Sequence, residues 1–178
     1  MIETRFCTIC NIEQPVRAKH CKECDSCVAL HDHHCPWVGV CIGEKNRKLF
    51  WWYLFFQFFL IWLSLAILVA SLWEDTDVVW LIALKAVGCA AIGFFAFMVS
   101  LLLGFHSFLA MRNQTTWETV SWGKISYLKD WPRKFRSPFS SGLMSNLKFY
   151  CCHTPKENYT IWVLPTTLPE REPSCCEF

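Results

Sequence analysis

The chain has 178 residues and a net charge of +2, and 53% of it is apolar. That length makes one or two small domains, and so small a charge excludes nucleic acid as the main partner. Fifteen Phe and ten Trp are too many for an ordinary soluble domain and suit a bilayer segment with aromatic interface residues.

Met1-Ile2-Glu3-Thr4 lacks the basic and apolar regions of a signal peptide. Residues 1–47 are polar, with no helical or strand periodicity longer than a few residues and no internal repeat beyond Cys-x-x-Cys spacing. Seven of the twelve cysteines fall between Cys7 and Cys41, interleaved with histidines. A secreted disulfide framework has no need of those histidines, whereas metal ligation uses both residue types. A segment this short and polar cannot bury enough apolar area to fold alone, which is the usual condition of metal-organised modules.

The basic cluster Lys45, Arg47 and Lys48 precedes an abrupt change of composition. From about residue 49 to 72 the chain is apolar apart from Gln57, Ser64 and, at its end, Ser71, long enough to span a bilayer. An acidic loop, residues 73–78, leads to a second span over 79–109, where Lys85 can snorkel to the interface. Residues 48–111 are therefore expected to form a transmembrane helical hairpin. Lys and Arg lie at its outer ends and not in its loop, which places both termini in the cytosol and keeps the cysteine module reduced. Residues 112–178 form a polar tail: Asp130 to Lys134 reads as interfacial loop, and Pro165 to Phe178 as disordered. The expected architecture is an α-helical integral membrane protein, a two-helix hairpin bearing a small irregular or β zinc-binding module on its cytosolic face.

The module reads Cys7-x2-Cys10, His20-Cys21-x2-Cys24-x2-Cys27, Asp32-His33-His34-Cys35, Cys41. Structural zinc closes with four ligands, so two ions need eight. Cys7, Cys10, Cys21, Cys24, Cys27 and Cys41 supply six, and two histidines supply the rest. Cys35 is left over. A thiol next to imidazoles and a carboxylate has the parts of an activated nucleophile. The alternative is a zinc-organised membrane adaptor without catalysis, in which Cys35 is one more structural ligand.

The spacing Cys-x2-Cys-x9-His-Cys-x2-Cys-x2-Cys-x4-Asp-His-His-Cys-x5-Cys-x4-Asn-x3-Phe, running from Cys7 through Asn46 to Phe50, resembles the DHHC-type protein S-acyltransferases (palmitoyltransferases). The family's Thr-Thr-x-Glu is matched by Thr115-Thr116-Trp117-Glu118, and its C-terminal Asn by Asn146 ahead of Phe149 and Tyr150. Pro138-Phe139 and the following Gly142 to Leu147 look most like the huntingtin-interacting, ankyrin-bearing branch.

The resemblance implies one zinc on Cys7, Cys10, His20 and Cys27, and a second on Cys21, Cys24, His34 and Cys41. It makes Cys35 the acyl-accepting nucleophile, His33 its base and Asp32 the partner of His33, contacted by Thr116, with Thr115, Glu118, Asn46 and Asn146 in support. Acyl-CoA, as palmitoyl-CoA, would be the co-substrate, touched by Arg17, Lys19 and Trp37, with Lys22 as a further basic candidate. Phe55, Phe59, Leu60 and Leu63 are candidates for the acyl cavity. The implied partners are the bilayer and membrane-associated proteins with cytosolic cysteines, in Golgi or endoplasmic reticulum membrane. Family members carry two spans before the module as well as two after, so an N-terminally truncated member is implied. His31 and His106 match no motif position, and His106 reads as a packing residue. The doublets Cys151-Cys152 and Cys175-Cys176 lie outside the zinc pattern and are candidates for acylation.

Overall fold

The structure, a computed structural model, describes residues 5–73, 78–132 and 137–152. Residues 74–77 of the acidic loop, Arg133 and Lys134 of the expected interfacial loop, the Pro165–Phe178 segment and the Cys175-Cys176 doublet lie outside the described residues.

The cysteine module is built from β-hairpins of one design: β1 (Arg5–Cys7) with β2 (Ile12–Gln14), β3 (Lys19–Cys21) with β4 (Ser26–Val28), and β5 (His33–Cys35) with β6 (Val40–Ile42). Their registers superpose with a shift of fourteen residues. Cys7 faces Ile12, Cys21 faces Ser26 and Cys35 faces Val40; His20 faces Cys27 and His34 faces Cys41. Each turn closes on a left-handed residue just before the second strand, namely Asn11 (φ 53), Asp25 (φ 46) and Gly39 (φ 68). Asn, Asp and Gly are the residues that tolerate that conformation. The module therefore does contain an internal repeat, contrary to expectation. Only the first cysteine and the turn recur in all three units, too little to stand out until strand pairing aligns them.

Asp32 N–H donates to Ile42 O at 2.9 Å, extending the pairing of the third hairpin, and Glu44 N–H donates to Ala29 O at 3.0 Å, joining that hairpin to the end of the second. Gly43 lies so close to the second hairpin that a Cβ there would stand 2.6 Å from Val28 Cγ1 and 2.8 Å from Ala29 O. A larger residue would force the second and third hairpins apart.

Helix α1 (Arg47–Ala70) begins immediately after the module and runs into a short 3₁₀ turn, Ser71–Trp73. Asn46 couples the two: its Oδ1 accepts from Gly43 N–H at 2.8 Å and its Nδ2 donates to Cys41 O at 2.9 Å. Helix α2 (Val79–Arg112) returns. These bounds extend the expected spans by up to three residues. At 24 and 34 residues the helices are about 36 and 51 Å long, more than the roughly 30 Å of a hydrocarbon core. Both are long and apolar enough to cross a membrane, and only 6% of each apolar window is buried within the fold, unlike the core helix of a soluble protein. Trp51 Nε1 donates to Ser107 Oγ at 2.9 Å and Trp62 Nε1 to Ser100 Oγ at 3.1 Å, polar ties between otherwise apolar surfaces. Lys85 Nζ reaches the carbonyl of Ser71 at the far end.

The tail is more ordered than a polar loop. α2 ends on left-handed Asn113, and α3 (Thr116–Ser121) follows with a reciprocal cap: Glu118 N–H donates to Thr115 Oγ1 at 3.1 Å while Thr115 N–H donates to Glu118 Oε2 at 3.0 Å. A 3₁₀ turn (Trp122–Lys124) then builds a small apolar core of Trp122, Ile125 and Leu128, against which Trp117, Tyr127 and Trp131 pack. The expected interfacial loop thus begins, at Asp130 and Trp131, as the edge of a packed cluster. Helix α4 (Leu143–Cys152) returns to the hairpin, where Tyr150 OH donates to Arg47 O at 2.9 Å and the Arg47 guanidinium lies 4.5 Å from the Phe149 ring centroid. Asn146 is buried at the start of this helix. Its Nδ2 donates to Met111 O at 2.7 Å and Ser140 Oγ at 2.8 Å, and its Oδ1 accepts from Ser141 N–H at 2.9 Å.

Candidate active site and metal centres

Successive side chains of a strand point to opposite faces. On β3 this sends His20 to one side and Cys21 to the other, so neighbours in sequence serve different clusters. Cys7, Cys10, His20 and Cys27 come together on one side, and Cys21, Cys24, His34 and Cys41 on the other, the donor atoms of each set lying within 4.8 Å of one another.

Tetrahedral zinc with Zn–S of about 2.3 Å and Zn–N of about 2.0 Å requires sulfur-to-nitrogen separations of about 3.5 Å. His20 Nδ1 lies 3.7 Å from Cys7 Sγ, 3.3 Å from Cys10 Sγ and 3.9 Å from Cys27 Sγ. His34 Nδ1 lies 3.7, 3.4 and 3.8 Å from the sulfurs of Cys21, Cys24 and Cys41. Both sets fit zinc. Burial pushes the Cys27 thiol up to about 11 and Cys41 further still, with the other thiols of each cluster adding to it. Such groups ionise readily only when a cation takes their charge. Gln14 Nε2 donates to Cys27 Sγ at 3.2 Å, supporting the first set from outside.

The same alternation resolves Asp32-His33-His34-Cys35. On β5, His34 faces the second metal set with Cys41, while His33 and Cys35 share the other face, toward α1. Cys35 belongs to neither donor set. It is 5% exposed and packs with Ile42, Phe50 and Leu54, with Leu103 of α2 closing the group. Ordinary strand geometry thus separates the roles of adjacent residues without distorted backbone. The four residues expected to line a cavity, Phe55, Phe59, Leu60 and Leu63, are not in this group; Phe50, Leu54 and Leu103 occupy the place beside the thiol. Phe50 and Leu54 follow the helical i, i+4 spacing, which could have pointed to them.

Asp32 precedes the strand and is buried. Its Oδ2 lies 2.6 Å from His33 Nδ1 and accepts from Thr116 Oγ1 at 2.7 Å, and its Oδ1 accepts from Thr116 N–H at 2.8 Å. Trp117 N–H donates to Asp32 O at 3.1 Å. Burial raises the Asp32 carboxyl, but the bond from His33, the proximity of His106 and the bonds from Thr116 outweigh it and hold the group below the usual carboxylate range. An ionised carboxylate on Nδ1 fixes the His33 tautomer and leaves the other ring nitrogen for proton transfer.

Arg17 departs from expectation. Rather than meeting a phosphate at the surface, it is 1% exposed. Its Nε and Nη2 bind Glu118 Oε1 and Oε2 at 2.7 and 2.8 Å, and Nη1 and Nη2 donate to Asn113 Oδ1 and O at 3.2 and 3.1 Å. The guanidinium also stacks 4.2 Å from the Phe139 centroid, and Tyr127 OH donates to Glu118 Oε1 at 3.2 Å. A guanidinium so committed and desolvated is a structural clamp. Lys19 is half-buried with its Nζ 5.5 Å from the Trp117 centroid, Lys22 is exposed, and Trp37 is 82% exposed in the turn that follows Cys35. Sequence reasoning passed over His106, which the fold brings beside Asp32 and His33. An ionisable residue near the end of an apolar span was the available signal.

Comparison with known proteins agrees with this geometry. The family model described as DHHC palmitoyltransferase matches residues 1–123. Protein S-acyltransferase 10 of Arabidopsis thaliana is 38% identical over 165 residues, which cover 93% of this chain and 47% of that protein. Palmitoyltransferase ZDHHC12 of Mus musculus is 36% identical over 159 residues, 86% of this chain and 58% of the relative. Human palmitoyltransferase ZDHHC17, of the ankyrin-bearing branch, is 33% identical over 168 residues, 83% of this chain and 26% of the relative. The chain spans about half the length, or less, of most of these relatives. A match that takes in both cysteine–histidine sets, Cys35 and the Thr-Thr-x-Glu segment, across well over half the residues, settles the affiliation: the chain belongs to the DHHC palmitoyltransferase family.

Proposed function

We propose that this chain carries the catalytic site of a protein-cysteine S-acyltransferase that moves a long-chain acyl group from acyl-CoA to cysteines of membrane-associated proteins, through an acyl-Cys35 intermediate. One observation carries the reading: Cys35 lies outside both complete metal sets, on the same strand face as His33, whose far nitrogen Asp32 anchors.

The residues take the following parts. His33 accepts the Cys35 thiol proton, and the thiolate attacks the acyl-CoA thioester carbonyl. The carbon–sulfur bond to CoA breaks, and the CoA sulfur leaves with the proton returned by His33. A substrate thiol then gives its proton to His33 and attacks acyl-Cys35, which departs as thiolate. One thioester replaces another, so positioning and proton control matter more than driving force. Asp32, held by Thr116, keeps His33 in register. The two four-ligand sets would each hold one zinc, which supplies a cross-link between hairpins with no open coordination position.

The packing of Cys35 against Phe50, Leu54 and Leu103 supports an acyl chain running from the thiol along the hairpin while CoA stays in water beside Lys19, Lys22 and Trp37. Burying a sixteen-carbon chain contributes on the order of 12 kcal/mol before ordering costs. The charge asymmetry supports a cytosolic module and cytosolic termini, and the family resemblance supports Golgi or endoplasmic reticulum membrane.

The test is incorporation of a palmitate analogue into the purified chain, reconstituted in bilayers. Hydroxylamine-sensitive label on Cys35 is expected. Full labelling of Cys35→Ser would reject the nucleophile, and partner binding that survives that substitution without any turnover would favour the adaptor.

A further inference from the structure

His106 lies two turns from the end of α2 and is 6% exposed. An ionisable side chain in an apolar span is costly, and it persists where it faces a partner inside the protein. Here the partner is the Asp32–His33 pair. The His106 and His33 ring centroids are 5.5 Å apart with planes tilted by 42°. Phe50 stands edge-on to both, at 5.1 Å from His106 and 5.2 Å from His33. A ring nitrogen of His106, a ring nitrogen of His33 and a carboxylate oxygen of Asp32 lie within 4.8 Å of one another.

These three side chains also have the donor types of a metal site. Asp32, however, already accepts three hydrogen bonds, from His33 and twice from Thr116, which leaves about one of its roughly four lone-pair sites. The cluster reads instead as a hydrogen-bonded pair with a third polar group above it. Among the described residues, no protein group hydrogen-bonds His106 directly. Its polar edge is within one water-bridged step of the pair.

We infer that His106 is a positioning residue for His33. Asp32 fixes the imidazole at Nδ1 but leaves it free to swing about that bond. Phe50 and His106, in contact with each other, pack side by side against the ring and limit the swing by shape, and His106 adds a polar edge, so that the remaining nitrogen stays directed at the Cys35 side of the strand. The polar contact is the specific claim, because a hydrocarbon side chain at 106 would fit the membrane better.

The inference rests on the acyltransferase reading for its purpose, but its test does not need turnover. Site-resolved alkylation of Cys35 by iodoacetamide at pH 7 reports how well His33 activates the thiol, in the full chain reconstituted in bilayers. His106→Leu and His106→Phe are expected to slow Cys35 alkylation about tenfold, since small misplacement of a catalytic base has effects of at least that size. His106→Gln, which keeps a polar edge, is expected to recover most of the rate. In a His33→Ala background, His106→Leu should change the rate less than twofold. Two zinc ions per chain serve as the folding check for every variant. Unchanged alkylation in Leu and Phe variants overturns the inference. So does a normal rate in Phe alone, equal loss in all three, or a full effect without His33. Acylation measured on the same samples tests the other reading separately: a wild-type chain with this His106 dependence and no acylation would retire the transfer reaction and keep the positioning role.

Discussion

Arg17 and Glu118 are 101 residues apart in sequence, and they meet as a two-pronged ion pair at 2.7 and 2.8 Å with neither side chain more than 1% exposed. One comes from the loop between the first two hairpins, the other from the segment after the second span. Removing either partner strands a buried charge, at a cost of roughly 3–5 kcal/mol. Glu118→Ala and Arg17→Ala should each lower the thermal midpoint in detergent strongly, and the double variant should lose much less than the sum. Arg17→Lys should not restore stability, because an ammonium cannot make the fork. Near-additive losses would show that the pair does not join the two segments.

Thr116 supplies two of the three hydrogen bonds on the Asp32 carboxylate. A bond to a charged group contributes roughly 1.5–3 kcal/mol, or about ten- to a hundredfold. Thr116→Ala removes the hydroxyl and leaves the amide. Self-acylation of Cys35 should slow by about tenfold or more, Thr116→Ser should retain the wild-type rate, and zinc content should not change. Equal rates in Thr116→Ala and wild type would disconnect α3 from the site.

Metal analysis of the purified chain should find two zinc ions. Cys10→Ser and Cys24→Ser each remove one ligand from a different set and should each lower the content toward one. Cys35→Ser should keep both ions. A lower zinc content in that variant would make Cys35 a ligand after all.

The fourteen-residue shift yields a further prediction. Advancing the ligand positions of the second set, 21, 24, 34 and 41, by one unit gives Cys35, Val38, Lys48 and Phe55. Val38→Cys would create a Cys-x-x-Cys turn that starts at Cys35. Cadmium added to this variant should protect Cys35 from alkylation at concentrations that leave the wild type reactive. Unprotected Cys35 would mean that the third turn does not aim its side chains as the first two do.

His31 is buried beside Trp117, and burial, with Lys19 nearby, pushes its pKa from 6.5 down to about 4. Between those values the unfolded chain takes a proton that the folded chain refuses, so stability falls as pH falls from 6.5 toward 4. His31→Phe should flatten part of that loss when unfolding is compared at pH 7.5 and 5. The same slope in both proteins would place the acid sensitivity in the zinc ligands alone.

The sequence made the helical hairpin legible because two long apolar runs separated by an acidic loop have few other folds open to them. The need for two four-ligand sets was legible from spacing, their membership came with the family resemblance, and the strand registers explain why neighbours such as His20 and Cys21 divide between them. Other features depended on contacts that spacing does not encode. Arg17 sits in a basic stretch, and only its burial against Glu118 distinguishes a clamp from a phosphate ligand. His106 approaches His33 because α2 leans on α1 at that depth, a matter of helix phase. The Trp-rich tail looked like interface, yet Trp122, Ile125 and Leu128 close on one another across short turns with no regular period.

The superposable hairpin registers bear on how such a site could arise. If one metal-binding unit was copied along the chain, the third copy kept its leading thiol and its turn, while the positions that would have shared a cation with that thiol became Val38, Lys48 and Phe55. Cys35 is then a ligand position that lost its partners. Its backbone, still flanked by the two copies with complete donor sets, came ready-made, and a new activity needed the loss of neighbours rather than the invention of a pocket.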